Sequence, residues 1–131
     1  MKSKNIMGKV SLLLCLGAFL TLAPAALAQS GSISGNPNPC TVYHTQTLCT
    51  STLSWSSAGT SQVQVWVSLN GGAESNFSTS GSGSGYFQDA SWIQGMSYTY
   101  VFRLYDYSSG SRGAQLASAS VSAVTSISCP P

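Results

Sequence analysis

The sequence predicts an all-β protein, an antiparallel sandwich of about seven short strands. Apolar and polar residues alternate most clearly over residues 62–69, which place Val63, Val65, Val67 and Leu69 on one face of a strand. Segments rich in Gly, Ser and Asn separate the alternating segments at intervals of about ten residues, as turns between strands do. No segment has the period of a helix.

Each predicted strand has its own pattern. Residues 47–55 bring Leu53 and Trp55 to one side, residues 97–107 place alternate side chains from Tyr98 to Leu104 on one face, and residues 114–125 are rich in small side chains. In chain order, the clearest strands are residues 32–34, 40–43, 47–55, 62–69, 97–107 and 114–125.

The segments between these strands are predicted to be turns or loops. Residues 56–60 and 108–113 have turn composition, and the Asn-Gly-Gly sequence at residues 70–72 suits a tight turn because Asn and Gly tolerate positive φ. Residues 78–85 contain only Ser, Thr and Gly, so they cannot bury apolar surface. We expect this segment to be a mobile connection.

The N-terminus has the features of a secretory signal peptide. Three lysines within the first nine residues precede an apolar run at residues 10–23, and the small-residue sequence Ala26-Leu27-Ala28 follows. An uncleaved anchor is the alternative, but the run has about 14 residues and a membrane span needs roughly 20. We expect cleavage after Ala28, loss of Cys15 with the peptide, and a single domain of residues 29–131.

Cleavage would remove every lysine in the chain. The remaining charged residues are Arg103, Arg112, Glu74, Asp89 and Asp106. So few positive charges give no electrostatic basis for binding a nucleic acid. A surface solvated by Ser, Thr, Gly, Asn and Gln is common in extracellular β modules, so the predicted location is secreted or periplasmic.

Prolines and cysteines surround the first two strands. Pro37 and Pro39 cannot donate to a ladder, so they are expected to interrupt the first strand and let its two parts pair with different sheets. A hairpin with residues 43–46 as its loop would place Cys40 opposite Cys49, and we predict a disulfide between them. A bond between Cys49 and Cys129 is the alternative. With Cys40 and Cys49 paired, Cys129 is free or joins another chain, for example in a disulfide-linked dimer.

Residues 30–125 resemble bacterial immunoglobulin-like, fibronectin-III-like modules of secreted proteins, in the segments around residues 32–42, 47–55, 63–68 and 91–106. In such modules a bulky apolar residue, a glycine and a tyrosine at three-residue spacing mark a strand corner, and Trp92, Gly95 and Tyr98 match this spacing. The resemblance implies an immunoglobulin-like sandwich. The chain departs from antibody domains because it lacks their cysteine pair across the two sheets.

Few residues could carry out catalysis or bind a metal. His44 is the single histidine, and the three acids Glu74, Asp89 and Asp106 lie in different segments. No second histidine or neighbouring carboxylate completes a catalytic pair, and no calcium-loop or CxxC pattern occurs. We therefore predict a non-catalytic protein without a metal or other cofactor.

One group of residues on the outward strand faces is a candidate binding face. Trp66 lies on the polar side of its strand beside Gln62 and Gln64, and Arg103 and Tyr105 share the outward side of a neighbouring strand. Aromatic rings with amide and guanidinium donors can stack on sugars or anchor a protein. Alternatively, these aromatics are simply good strand formers that pair across strands or are covered by the Gly/Ser loop.

Two functional hypotheses follow from this pattern. The first is an exported, non-catalytic module with a structural or adhesive role, and the second is a carbohydrate-binding accessory module that uses the aromatic face. The predicted partner is accordingly an exported protein or a glycan, with no nucleic acid and no membrane after cleavage.

Overall fold

The computed structural model describes residues 27–127, so Cys129 and nearly all of the predicted signal peptide lie outside the described range. This range is all-β, as predicted, and contains no helix long and apolar enough to cross a membrane. Its six strands are β1 (Ser30–Asn36), β2 (Cys40–Val42), β3 (Leu48–Leu69), β4 (Glu74–Gln94), β5 (Thr99–Asp106) and β6 (Gln115–Thr125).

Two long strands organise the molecule. β3 has 22 residues and β4 has 21, and they run antiparallel along most of their length. The first part of β3 also pairs with β1, whereas its second part pairs with β5. The order of hydrogen-bonded strands is β1-β3-β5-β6-β2, with β4 on the other side of β3.

The turn predicted at residues 56–60 is wrong, because these residues lie inside β3. The pairing of β3 with β4 shifts register between Ser57 and Gln62, and Gly59 has a φ of 73°. A bulge of this kind bends a strand without ending it. The two strands predicted at residues 47–55 and 62–69 are therefore one continuous strand.

The predicted mobile connection at residues 78–85 is also wrong. Ser80 and Gly81 pair with Val63 and Gln62, so the segment is part of β4. Small side chains do not prevent strand formation here, because the backbone groups still bond to β3. Gly83 and Gly85 have φ values of 123° and 83°, which glycine adopts readily and which let β4 bend with β3.

The turn between β3 and β4 agrees with its prediction. Asn70 and Gly71 have φ values of 48° and 74°, and the Gly72 N–H donates to the Leu69 carbonyl at 2.9 Å. Two successive residues at positive φ are the mark of a tight hairpin turn. This turn places the start of β4 beside the end of β3.

The two parts of the first strand pair with different neighbours, as the prolines predict. β1 ends at Asn36 and pairs antiparallel with β3, whereas β2 begins at Cys40 and pairs in parallel with β6. Pro37 and Pro39 lie between them, where the missing N–H groups cost no ladder bond. The chain thus crosses from β1, the first strand in the order of hydrogen-bonded strands, to β2, the last.

The structure contains the Cys40–Cys49 disulfide, but the predicted hairpin around it is wrong. Cys40 pairs with Ala123 of β6, whereas Cys49 pairs with Ile93 of β4. The Cα atoms of the two cysteines are 5.9 Å apart. The bond therefore joins β2, at the end of the strand order, to the start of β3, and it ties together strands that share no ladder.

The core takes its buried apolar side chains from β2, β3, β4, β5 and β6. A Cβ added at Gly31 would lie 2.7 Å from Leu104 Cδ2, and one at Gly35 would lie 2.7 Å from Val121 Cγ2. The backbone of β1 thus packs directly on side chains of β5 and β6. The largest fully buried apolar side chains are Phe102, Leu53, Ile93, Leu104, Val63, Val65 and Val121.

Candidate functional site

The three residues of the predicted binding face come together on β3 and β5. Trp66 pairs directly with Arg103, and Gln64 pairs with Tyr105. Because β4 pairs with the other side of β3, Glu74 lies opposite Ser68 and joins the same face. The register of three adjacent strands therefore places these side chains within reach of one another.

Glu74 is the centre of this face. Its Oε1 accepts hydrogen bonds from Arg103 Nη1 at 2.8 Å and from the Tyr105 hydroxyl at 3.1 Å, and its Oε2 accepts one from Arg112 Nη1. Arg103 Nη1 also donates to Ser68 Oγ at 3.1 Å. We call the group Trp66, Glu74, Arg103, Tyr105 and Arg112 the Glu74 cluster.

Arg112 covers the aromatic rings of the Glu74 cluster. Its guanidinium carbon lies 4.8 Å from the ring centroid of Trp66 and 4.9 Å from that of Tyr105. Both distances are typical of cation–π contacts. Trp66 Nε1 donates to Gln64 Oε1 at 2.9 Å, which fixes the indole further. Trp66 is half-buried, so the structure brings the aromatic residues of the predicted face together beneath a guanidinium rather than leaving them open.

The electrostatics of the cluster keep Glu74 ionised. Partial burial raises the pKa of Glu74, but the hydrogen bonds from Arg103 and Tyr105 and the charges of the two arginines outweigh this effect, so the pKa lies below its ordinary value. Burial, followed by the bond to Glu74 and its negative charge, raises the pKa of Tyr105. The cluster thus carries one negative and two positive charges at neutral pH.

Sequence reasoning missed two members of the cluster. Glu74 was open to prediction, because the tight turn at residues 70–72 fixes which β4 residue faces Ser68. Arg112 could not have been predicted from the sequence. It lies in the irregular segment between β5 and β6, where no alternation of residues indicates which way a side chain points. These two residues supply the ion pairs that define the site.

The side chains of the two other acids bond to residues outside the cluster. Asp89 accepts a hydrogen bond from Thr52 Oγ1 at 2.6 Å, and Asp106 accepts one from Gln29 Nε2 at 2.8 Å. The hydroxyl and backbone N–H of Ser108 lower the pKa of Asp106. His44 is exposed between β2 and β3. In the described range, no three His, Cys, Asp or Glu residues form a group that could hold a metal ion.

The predicted strand corner uses a different tyrosine. Tyr98 is 38% exposed, precedes β5, and its hydroxyl makes no hydrogen bond with the residues of the described range. The Gln94 N–H instead donates to the Tyr100 hydroxyl at 3.3 Å, and Tyr100 is buried. Trp92 packs against Tyr100 with ring centroids 5.3 Å apart, as a structural residue would.

No protein-family model matches the chain, and no curated protein sequence matches it. Among solved structures, the chain is similar to the CARDB domain of a Pyrococcus furiosus protein determined in solution by NMR, with 18% identity, a TM-score of 0.44, and coverage of 73% of this chain and 94% of that domain. A crystal structure of the same domain in complex with di-metal ions gives 16% identity, a TM-score of 0.43, and coverage of 76% and 94%.

Proposed function

We propose that the chain is an exported, non-catalytic β-sandwich module of the immunoglobulin-like type, with a structural or adhesive role. Three features support this proposal: the all-β architecture, the crossing of the first strand from β3 to β6, and the Cys40–Cys49 disulfide. Disulfides persist in oxidising compartments outside the cytosol, so the disulfide favours a secreted or periplasmic location.

The Glu74 cluster is the observation that carries this proposal. Trp, Tyr and Arg are the residues most enriched at the energetic centres of protein interfaces. Here they are held in place by Glu74 and stacked on one another before any partner arrives, so binding would cost little side-chain entropy. Both arginines of the predicted mature chain are in this cluster, so its small excess of positive charge suits a neutral or weakly acidic protein partner.

The test is a binding comparison with the exported chain immobilised. We expect proteins exported by the same cells to bind the wild-type chain, and Trp66→Ala to weaken the binding about tenfold or more. Phe87→Ala is the matched control, because Phe87 is an aromatic residue with 71% exposure outside the cluster. Equal binding by the wild-type chain, Trp66→Ala and Phe87→Ala would contradict a role for the cluster.

Carbohydrate binding is the second candidate function. The rings of Trp66 and Tyr105 lie under one guanidinium, so a movement of Arg112 would free two neighbouring aromatic faces for stacking on sugars. Under this hypothesis, Arg112→Ala should strengthen the binding of neutral oligosaccharides in a glycan array. If Arg112→Ala leaves glycan binding absent while the protein partner still binds, the adhesive role is favoured.

Export itself has a direct test. We propose cleavage after Ala28, two residues before β1 begins at Ser30. Intact-mass analysis of the exported protein should find Gln29 as its first residue. A chain that retains Met1, or one lipidated at Cys15, would contradict this processing.

A disulfide-linked dimer through Cys129 is the proposed oligomeric form. Cys40 and Cys49 are paired with each other, so Cys129 would be the unpaired cysteine of the mature chain. Peptide mapping without reduction should find Cys129 linked to a second chain. A monomer whose Cys129 is fully alkylated would exclude this form.

A further inference from the structure

One end of the molecule has an open groove with a largely apolar lining. The groove has a volume of about 500 Å³ and lies where the ends of β2, β4 and β6 meet the start of β3. Its main side chains are Val42, Leu48, Met96, Tyr98 and Thr125. We call it the end groove. It shares no residue with the Glu74 cluster.

The rim of the end groove exposes more apolar surface than a solvated edge requires. Met96 is 76% exposed, Leu48 is 40% exposed and Tyr98 is 38% exposed. Tyr43, at 60%, lies directly after Val42, and Ile127, at 84%, follows Thr125 closely. Contiguous exposed apolar patches mark interaction sites in soluble proteins.

The backbone holds Met96 in this exposed position. Met96 and Ser97 have φ values of 60° and 68°, in the left-handed region that residues other than glycine rarely adopt. Two such residues in succession carry a conformational cost, and strain of this kind is concentrated at functional sites. Since Met96 is still 76% exposed within the described part of the chain, an external contact would offset that cost.

We propose that a second copy of this chain occupies the end groove, so that two copies pack with their apolar ends together. The place where β6 ends points to this occupant. The Ser126 N–H donates to the Val42 carbonyl at 2.9 Å, which holds the end of β6 at the rim of the groove. Cys129 follows Ile127 by two residues, and two residues of chain span at most about 7 Å.

A Cys129–Cys129 bond would therefore bring the two end grooves face to face. Each Cys129 thiol gives up one proton and one electron as the S–S bond forms, and a disulfide oxidant accepts both protons and both electrons and becomes a dithiol. The same patch on both copies forms a twofold interface, in which Met96 of one copy faces the groove of the other. The covalent link rests on the proposed export, whereas the apolar contact does not.

The apolar contact can be tested separately from the disulfide. The exported Cys129→Ser chain should still dimerise reversibly in sedimentation velocity, and Met96→Glu in that background should raise the dimer dissociation constant about tenfold or more. Phe87→Glu is the matched control, because Phe87 is 71% exposed but lies outside the groove, and it should leave the constant unchanged. In the chain that retains Cys129, Met96→Glu should also slow formation of the covalent dimer.

Three outcomes would overturn the interface. The first is a Cys129→Ser chain that stays monomeric up to about 1 mM. The second is a Phe87→Glu chain that weakens the dimer as much as Met96→Glu does. The third is tighter association after deletion of residues 128–131, which would mean that the chain's own end had filled the groove. A monomer that still binds a partner through Trp66 would remove this interface and leave the proposed function intact.

Discussion

Ser51 is a fully buried serine whose hydroxyl has no hydrogen-bond partner among residues 27–127. The side chain lies under β1, where a Cβ at Gly35 would be 3.0 Å from Ser51 Oγ. An unsatisfied buried hydroxyl destabilises the native state, because it loses its bond to water and gains none. The close approach of Gly35 leaves room for a small side chain but not for a larger apolar one.

The first prediction is that Ser51→Ala stabilises the protein. Removing the hydroxyl should raise the free energy of unfolding by about 1 kcal/mol, measured by urea denaturation. Ser68→Ala is the matched control, because Ser68 is also buried but its hydroxyl accepts a bond from Arg103, so this variant should be less stable than wild type. A loss of stability in Ser51→Ala would show that the hydroxyl has a partner.

The second prediction distinguishes two tyrosines. Tyr100→Phe should lower the free energy of unfolding by about 1 kcal/mol, because the Gln94 N–H would lose its acceptor. Tyr98→Phe should leave it nearly unchanged, because the Tyr98 hydroxyl is exposed and makes no bond in the described range. The reverse order of denaturation midpoints would restore Tyr98 as the corner residue.

The spacing of Trp92, Gly95 and Tyr98 indicates the corner correctly but not its tyrosine. The choice depends on where β5 begins, and β5 begins only after Met96 and Ser97 have turned the chain at positive φ. Neither residue has a propensity for that conformation, so the sequence contains no local signal for the turn. Tyr100, as an inward residue of β5, then takes the position beside Gln94.

At the scale of elements, the sequence predicts strand faces better than strand ends. Val63, Val65 and Val67 are buried as the alternation indicates, whereas Leu69, at the end of β3, is 41% exposed. The prolines mark the crossing between β1 and β2. Whether a strand continues or ends is harder to predict, because a bulge and a turn share the same Gly and Ser composition. Residues 56–60 and 78–85 both have that composition, and both lie within long strands.

The third prediction concerns the disulfide between β2 and β3. Replacing both Cys40 and Cys49 by Ser should lower the free energy of unfolding by about 2 to 3 kcal/mol, because the closed loop no longer restricts the unfolded chain. Since β2 pairs only with β6 over three residues in the described chain, its amides should lose the most protection in hydrogen exchange. Amides of Val63 and Val65 in central β3 are the internal control. Unchanged protection of β2 would contradict a role for the bond in holding that strand.

At the scale of the whole molecule, the charged residues within residues 27–127 divide into the Glu74 cluster and two acids, Asp89 and Asp106, that bond to neutral groups. Trp66, Arg103 and Tyr105 could be grouped from sequence, because period-2 alternation places each on an outward face. The binding face becomes an ion-paired site only when β4 and the segment after β5 add Glu74 and Arg112. Those contacts depend on which residues face each other on different strands, and the alternation within one strand does not indicate that pairing.

The last prediction is that the Glu74 cluster makes stability depend on pH in the acidic range. Glu74 has a pKa below its ordinary value of 4.5, so the unfolded chain binds a proton more readily than the native protein does. Its contribution to stability is therefore fully present above about pH 4.5 and is lost as the pH falls through the native pKa.

Glu74→Gln should be less stable than wild type at neutral pH and should lose less stability on acidification. Asp106→Asn is the control, because Asp106 lies outside the cluster and its pKa is also below its ordinary value of 3.8, so this variant should keep the part of the acid dependence that Glu74 supplies. Urea midpoints measured from about pH 7 to about pH 2 check both variants, and a Glu74→Gln chain with the full acid dependence of wild type would show that the cluster does not stabilise the fold.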